Sequence, residues 1–203
     1  VFAVAINLPG APGGHVRRGH EWVVSGRLAD ALYFWNSDRK EPLAARAAAL
    51  EGVVLQKDLG TYAAKSRRVV RFAEACADAI GLPPATRSAL GRAAALARCD
   101  LVTGLVGEFP ELQGVAGGLL ARADGEPSDV ADAVYDLYRP SGADDALPRT
   151  RAGALLGLLD RLDTLAGGFG VGLEPSGSRD PFALRRAGIG VVRLAIAAPE
   201  IDL

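Results

Sequence analysis

Between Leu59 and Gly81 the apolar residues Leu59, Tyr62, Val69, Ala73, Cys76 and Ile80 fall at three- and four-residue steps or multiples of them. Only an α-helix with one inward face has that period, and Gly81 supplies its stop. The pattern recurs. Pro83-Pro84 restarts the chain, and Leu90, Ala94, Ala97, Leu101 and Leu105 form the next stripe. A short helix is expected near 110–122 and another near 128–138, the latter introduced by Ser128 and an acidic first turn. Residues 139–148 read as a loop. Leu155, Leu158, Leu162 and Leu165 mark a further helix that ends in the glycines of 167–172. Asp180-Pro181 has the form of an N-cap followed by proline in the first helical position, opening a last helix to about Ala197. Alanine, leucine, arginine and glutamate, the strong helix formers, dominate throughout.

The expectation is an all-α domain of seven to nine helices over residues 15–200. Residues 1–6 differ, being β-prone, and the Pro/Gly cluster up to Gly14 ends them. A lone strand needs a pairing partner. Residues 1–14 are therefore expected to be a strand and loop of a preceding domain.

Composition narrows the function classes. Of 203 residues, 49% are apolar and 23% charged, enough for a real core and unlike a disordered chain. Twenty-three basic side chains face 24 acidic ones, which argues against a protein that coats nucleic acid in bulk. No uninterrupted apolar run reaches the length of a membrane span. Two cysteines, Cys76 and Cys99, are too few for a disulfide framework and suggest a cytoplasmic setting. Methionine is absent, so the chain reads as a piece of something longer. Both histidines, His15 and His20, precede residue 21, and chemistry elsewhere must do without imidazole.

Glycines 167–172 follow a helix and lack the Gly-Lys-Ser/Thr of a phosphate loop, so a tight turn is expected there. Cys76 and Cys99, without a histidine partner, read as small core residues. Lys65, Asp100 and Asp160 are more informative. Each falls near the inward face of its helix, and inward charges are costly unless they meet. They either snorkel to a groove, converge in a buried polar cluster, or serve a metal.

These positions resemble the HD superfamily of metal-dependent phosphohydrolases. Lys65-Ser66-Arg67-Arg68-Val69, Cys99-Asp100 and Asp160-Arg161-Leu162 match its His…Arg-Val, His-Asp and Asp-Arg-Leu stretches, with Lys65 and Cys99 in place of the two histidines. The resemblance implies a degenerate site in which the Lys65 cation fills the metal position, paired with Asp100 and Asp160. A fuller resemblance covers nearly the whole chain. Gly19-His20-Glu21-Trp22-Val23-Val24, Arg27-Leu28-Ala29-Asp30-Ala31, Val106-Gly107-Glu108-Phe109-Pro110-Glu111-Leu112-Gln113-Gly114, Tyr138-Arg139-Pro140, Asp160 to Gly172 and Asp180-Pro181-Phe182-Ala183-Leu184-Arg185-Arg186-Ala187 are similar to the β subunit of bacterial heterotetrameric glycyl-tRNA synthetase, in its central, degenerate HD-like portion.

That resemblance implies an ATP- and Mg²⁺-using glycine-tRNA ligase whose β subunit recognises tRNA and whose α subunit activates glycine. The fragment would have no cofactor, metal or catalysis of its own. Its partners would be glycine tRNA and the α subunit, with no membrane. The alternatives are a residual HD-type phosphohydrolase and a structural spacer. Charge helps to place an RNA face, because residues 61–100 carry seven basic against three acidic side chains. Arg67, Arg68, Arg71 and Arg185 are the tRNA-contact candidates, with Arg186 as a possible partner for Asp163.

Overall fold

A computed structural model describes residues 2–5, 14–176 and 179–197. Helix α1 spans His15–Asp38 and leads into 3-10 turns over Leu43–Gly52. A small antiparallel hairpin, β1 (Val54–Gln56) and β2 (Gly60–Thr61), sets Val54 opposite Thr61 and Gln56 opposite Gly60. There follow α2 (Tyr62–Ala79), α3 (Pro84–Leu96), a 3-10 turn at Cys99–Val102, α4 (Gly104–Glu108), α5 (Val115–Ala123), α6 (Ser128–Tyr135), α7 (Arg151–Gly170) and α8 (Leu184–Ala197). The architecture is all-α, with α7 packed against α2, α3, α6 and α8. Residues 2–5 carry no strand pairing; Val1 and residues 6–13, the rest of the expected strand and loop, lie outside the described residues.

The core is rich in alanine. Ala93 and Ala94 on α3, Ala131 and Ala133 on α6, and Leu90 and Leu156 are fully buried. Small side chains let the helices approach closely, and glycine is needed where they approach most. A Cβ on Gly118 of α5 would collide with Tyr135 Cβ and lie 2.7 Å from the Ala131 carbonyl oxygen of α6. Three threonines cap helices. Thr61, Thr103 and Thr150 accept the amides of Ala64, Val106 and Gly153 at 3.2, 3.2 and 3.0 Å, satisfying donors the first turn leaves open.

Two boundaries differ from expectation, each for a tertiary reason, and a third falls where it is expected. The stripe running through Ala97 and Leu101 to Leu105 is not one helix. α3 stops at Leu96, Arg98 turns left-handed at φ 69°, and the chain resumes as a 3-10 turn. Helix α7 ends at Gly170, within the glycines of 167–172 where its end is expected. Gly167 and Gly168 serve close contact, because Cβ atoms there would sit 3.2 Å from Leu59 and 2.9 Å from Leu184. The left-handed turn comes later, at Gly172 with φ 75°. Finally, α8 begins at Leu184 rather than Pro181. The Asp180 carboxylate still caps it, accepting the amides of Leu184 and Arg185 at 2.8 and 2.9 Å across an intervening turn.

Candidate functional site

The left-handed turn at Arg98 explains itself once its side chain is followed. From the end of α3 the guanidinium reaches α7, where Nε donates to Asp160 Oδ1 at 3.1 Å and Nη2 donates to Oδ2. Its Nη1 donates to the Tyr138 hydroxyl at 3.1 Å, and it lies 5.3 Å from the ring centres of both Tyr62 and Tyr138. Lys65, on the inward face of α2 and only 1% exposed, approaches Asp160 from the other side. Its Nζ donates to the Asp160 carbonyl at 2.9 Å, to Asp163 Oδ2 at 3.1 Å and to Thr164 Oγ1 at 2.7 Å, and it stands 3.4 Å from Asp160 Oδ1. Arg68, one turn after Lys65 by helical spacing, grips Asp163 through Nε at 2.6 Å and Nη2 at 3.1 Å.

The result is an alternating row, Arg68, Asp163, Lys65, Asp160, Arg98. All three ammonium hydrogens of Lys65 have acceptors, which is the condition under which a buried charge is tolerated. Burial by itself would raise the Asp160 carboxyl, but the Arg98 and Lys65 cations outweigh it and hold it at about 2. Asp163 is likewise held below the usual carboxylate range, burial being overcome by Arg68 and Lys65. Burial draws Lys65 below its ordinary range, with Asp160 opposing. Next to Asp160 on α7, Arg161 donates to the carbonyls of Gly157, Leu137 and Pro140 at 2.9, 3.3 and 3.0 Å, tying α7 to the segment after α6.

The expected residues are thus only partly brought together. Lys65 and Asp160 meet. Asp100 does not join them. Its Oδ2 instead accepts the amides of Gly114 and Gly117 at 2.6 and 3.2 Å, where the 3-10 turn aims it at the start of α5. Burial raises its carboxyl against the pull of those two amides. Cys99 is wholly buried, with Sγ 3.7 Å from the Ala95 carbonyl. Burial and the Asp100 charge push its thiol up to about 11, which leaves it a small core residue. Asp163 is paired by Lys65 and Arg68, not by Arg186. Arg68, placed among the RNA-contact candidates, is instead a member of the row, and Arg98 and Asp163 are the two further members that sequence reasoning missed. The only signal was their position next to Cys99 and one helical turn after Asp160.

These residues do not fit a divalent metal. Asp160 already receives two cations, Asp100 points elsewhere, and an ammonium stands where a metal would have to approach the carboxylates. Among the described residues, no group of three or more His, Cys, Asp or Glu side chains is placed to hold one. None of the described helices is long and apolar enough to cross a membrane.

A cavity of about 400 Å³ lies over the row, lined by Tyr62, Lys65, Arg98, Asp163, Phe182 from the turn before α8, and Leu184 at its start. A larger groove of about 900 Å³ runs between the 3-10 turns and α2, with Arg67, Arg68 and Arg71 along it. Arg67 is 64% exposed in its side chain while pairing with Glu51 at 2.5 Å. Arg71, one turn on, is exposed. Arg185 is exposed at the start of α8 and does not line this groove.

The family model for the glycyl-tRNA synthetase beta subunit matches residues 1–203. The chain belongs to that family. It is 49% identical over 203 residues to the glycine–tRNA ligase beta subunit of Chromohalobacter salexigens, covering all of this chain and 29% of that one. It is 46% identical over 202 residues to the subunit of the same name from Acinetobacter baumannii. Against that of Phenylobacterium zucineum it is 44% identical over 196 residues, with 96% of this chain covered. The chain therefore spans less than a third of the length of these members of the glycyl-tRNA synthetase beta-subunit family.

Proposed function

We propose that this segment is a non-catalytic, degenerate HD-like domain of the tRNA-handling subunit of glycine-tRNA ligase, and that the outward face of α2 contacts the tRNA. In this reading ATP, Mg²⁺ and glycine are handled elsewhere in a cytoplasmic enzyme that includes the α subunit. Residues 15–200 form the domain, and 1–14 belong to its neighbour. The buried row built on Lys65 serves as architecture. What supports RNA contact is the pair Arg67 and Arg71, exposed one helical turn apart beside the α2 groove. Guanidinium groups so spaced suit successive phosphates. Arg68 is set apart by its bonds to Asp163, and Arg185 would make a second contact from α8.

The test is titration of glycine tRNA against the complete synthetase across a salt series, comparing wild type with Arg67→Glu and Arg71→Glu. Each reversal is expected to weaken binding and to lower the slope of log affinity against log salt by about one. Unchanged affinity and slope would leave the segment a spacer between its neighbours.

A further inference from the structure

Helix α1 has two apolar sides, and the domain covers one of them. Toward α4, Phe34 packs on Gly104, whose Cβ would otherwise fall 2.6 Å from the ring. The Arg27 guanidinium sits 4.2 Å from the centre of the Phe109 ring, and the Asp38 carboxylate accepts the amides of Gly104 and Leu105 at 3.0 and 2.8 Å. Asp38 is nevertheless the only buried residue among the 24 of this helix. On the other side Trp22, Leu32 and Tyr33 are 80%, 60% and 69% exposed. At helical pitch they flank Gly26 and Ala29 on one continuous strip.

The N-terminal half of α1 also lacks the usual local reasons to be a helix. Gly19 and Gly26 each cost about 1 kcal/mol relative to alanine, and Val16, Val23 and Val24 are weaker formers. The N-cap residue Gly14 offers no side-chain cap, and the first turn holds no acid while Arg17 and Arg18 oppose the dipole. A helix of such composition owes its stability to burial of a face, and the face available is the one that is bare.

We infer that the Trp22–Tyr33 strip is buried by another part of the same subunit chain, from the length that family members carry beyond this segment. Size decides the occupant. A strip from Trp22 to Tyr33 is about 18 Å long and about 10 Å wide, so with both sides counted it buries about 400 Å². Stable association of separate chains needs about 1,200 Å² or more. A segment tethered to the same chain meets the strip at an effective concentration near the millimolar range, and a contact of this size then suffices. Relatives of which this segment is only 29% have ample chain to supply it.

Hydroxyl-radical footprinting of the unmodified full-length subunit, read by mass spectrometry at Trp22 and Tyr33, tests this without a substitution. Both residues are expected to oxidise about tenfold or more slowly in the native subunit alone than in the same subunit unfolded in urea, as for groups exposed only by local opening. Fast oxidation in both the isolated subunit and the assembled synthetase would overturn the inference. So would protection that appears only when the second subunit or tRNA is added, since the cover would then be another molecule. Protection lost on dilution would overturn it in favour of a second copy.

Discussion

Lys65 and Arg98 bring two cations against one carboxylate inside an alanine-rich interior, and the energetics turn on every member being satisfied. Asp160 is 6% exposed and its carboxylate takes the Arg98 fork, so replacing it with Asn leaves the buried Arg98 guanidinium without a counter-charge, while Lys65 keeps Asp163. Asp160→Asn should destabilise the domain by about 3–5 kcal/mol, measured as a shift in urea midpoint at pH 7. The pH dependence has a definite sign. The folded Asp160 carboxyl sits at about 2 against about 3.9 for an unfolded chain. Its stabilisation is therefore complete above pH 4 and is lost as pH falls toward 2. The gap between wild type and Asp160→Asn should narrow over that window and hold constant from pH 5 to 7. A gap that stays fixed down to pH 2 would mean the carboxylate gains nothing from its cations.

At the scale of elements, closeness is set by glycine and alanine, and the helices differ in what a methyl group would do. Gly118→Ala forces α5 off the Tyr135 and Ala131 backbone of α6 and is expected to cost about 2 kcal/mol or more. Gly91→Ala, on α3 where nothing lies within 4 Å of the added carbon, should instead stabilise by about 0.4–1 kcal/mol. Thermal denaturation of the two variants side by side measures the contrast. The elements also show how far a sequence speaks. Helix α2 was readable because its apolar period and its Gly81 stop are local. The end of α3 was not, because Arg98 leaves the helix to reach a carboxylate 62 residues further along the chain. The end of α7 in the glycines of 167–172 was readable too, but not that Gly167 and Gly168 are thin spots where Leu59 and Leu184 press in. The same distinction holds at the site. Lys65, Asp100 and Asp160 were all marked by inward charge, yet only spatial neighbours decide which charges pair. Asp100 found backbone amides instead.

Across the whole molecule, order is expected to be graded from the helix that others surround to the one that stands apart. Helix α7 contributes Leu155, Leu156 and Asp160 to the interior, whereas the first half of α1 has no buried residue. Hydrogen exchange on the 203-residue chain should therefore show the amides of Leu155–Asp160 as the slowest. Those of residues 18–24 should exchange with little protection, by several orders of magnitude in rate. Uniform protection along α1 would contradict this gradient.

The attachment of α1 at one end has a mechanical consequence. Asp38 clamps it to the start of α4, and Arg46 reinforces the clamp by donating to the Asp38 carbonyl at 2.8 Å. Contacts of Arg27 with Glu108 and Phe109 extend that hold to the middle of the helix, and from there to His15 the rod is about 18 Å long. A tilt of about 10° about this hold would swing the far tip by about 3 Å. The joint with α4 thus has leverage, turning a slight repacking beneath α4 into a displacement of about half a helical turn.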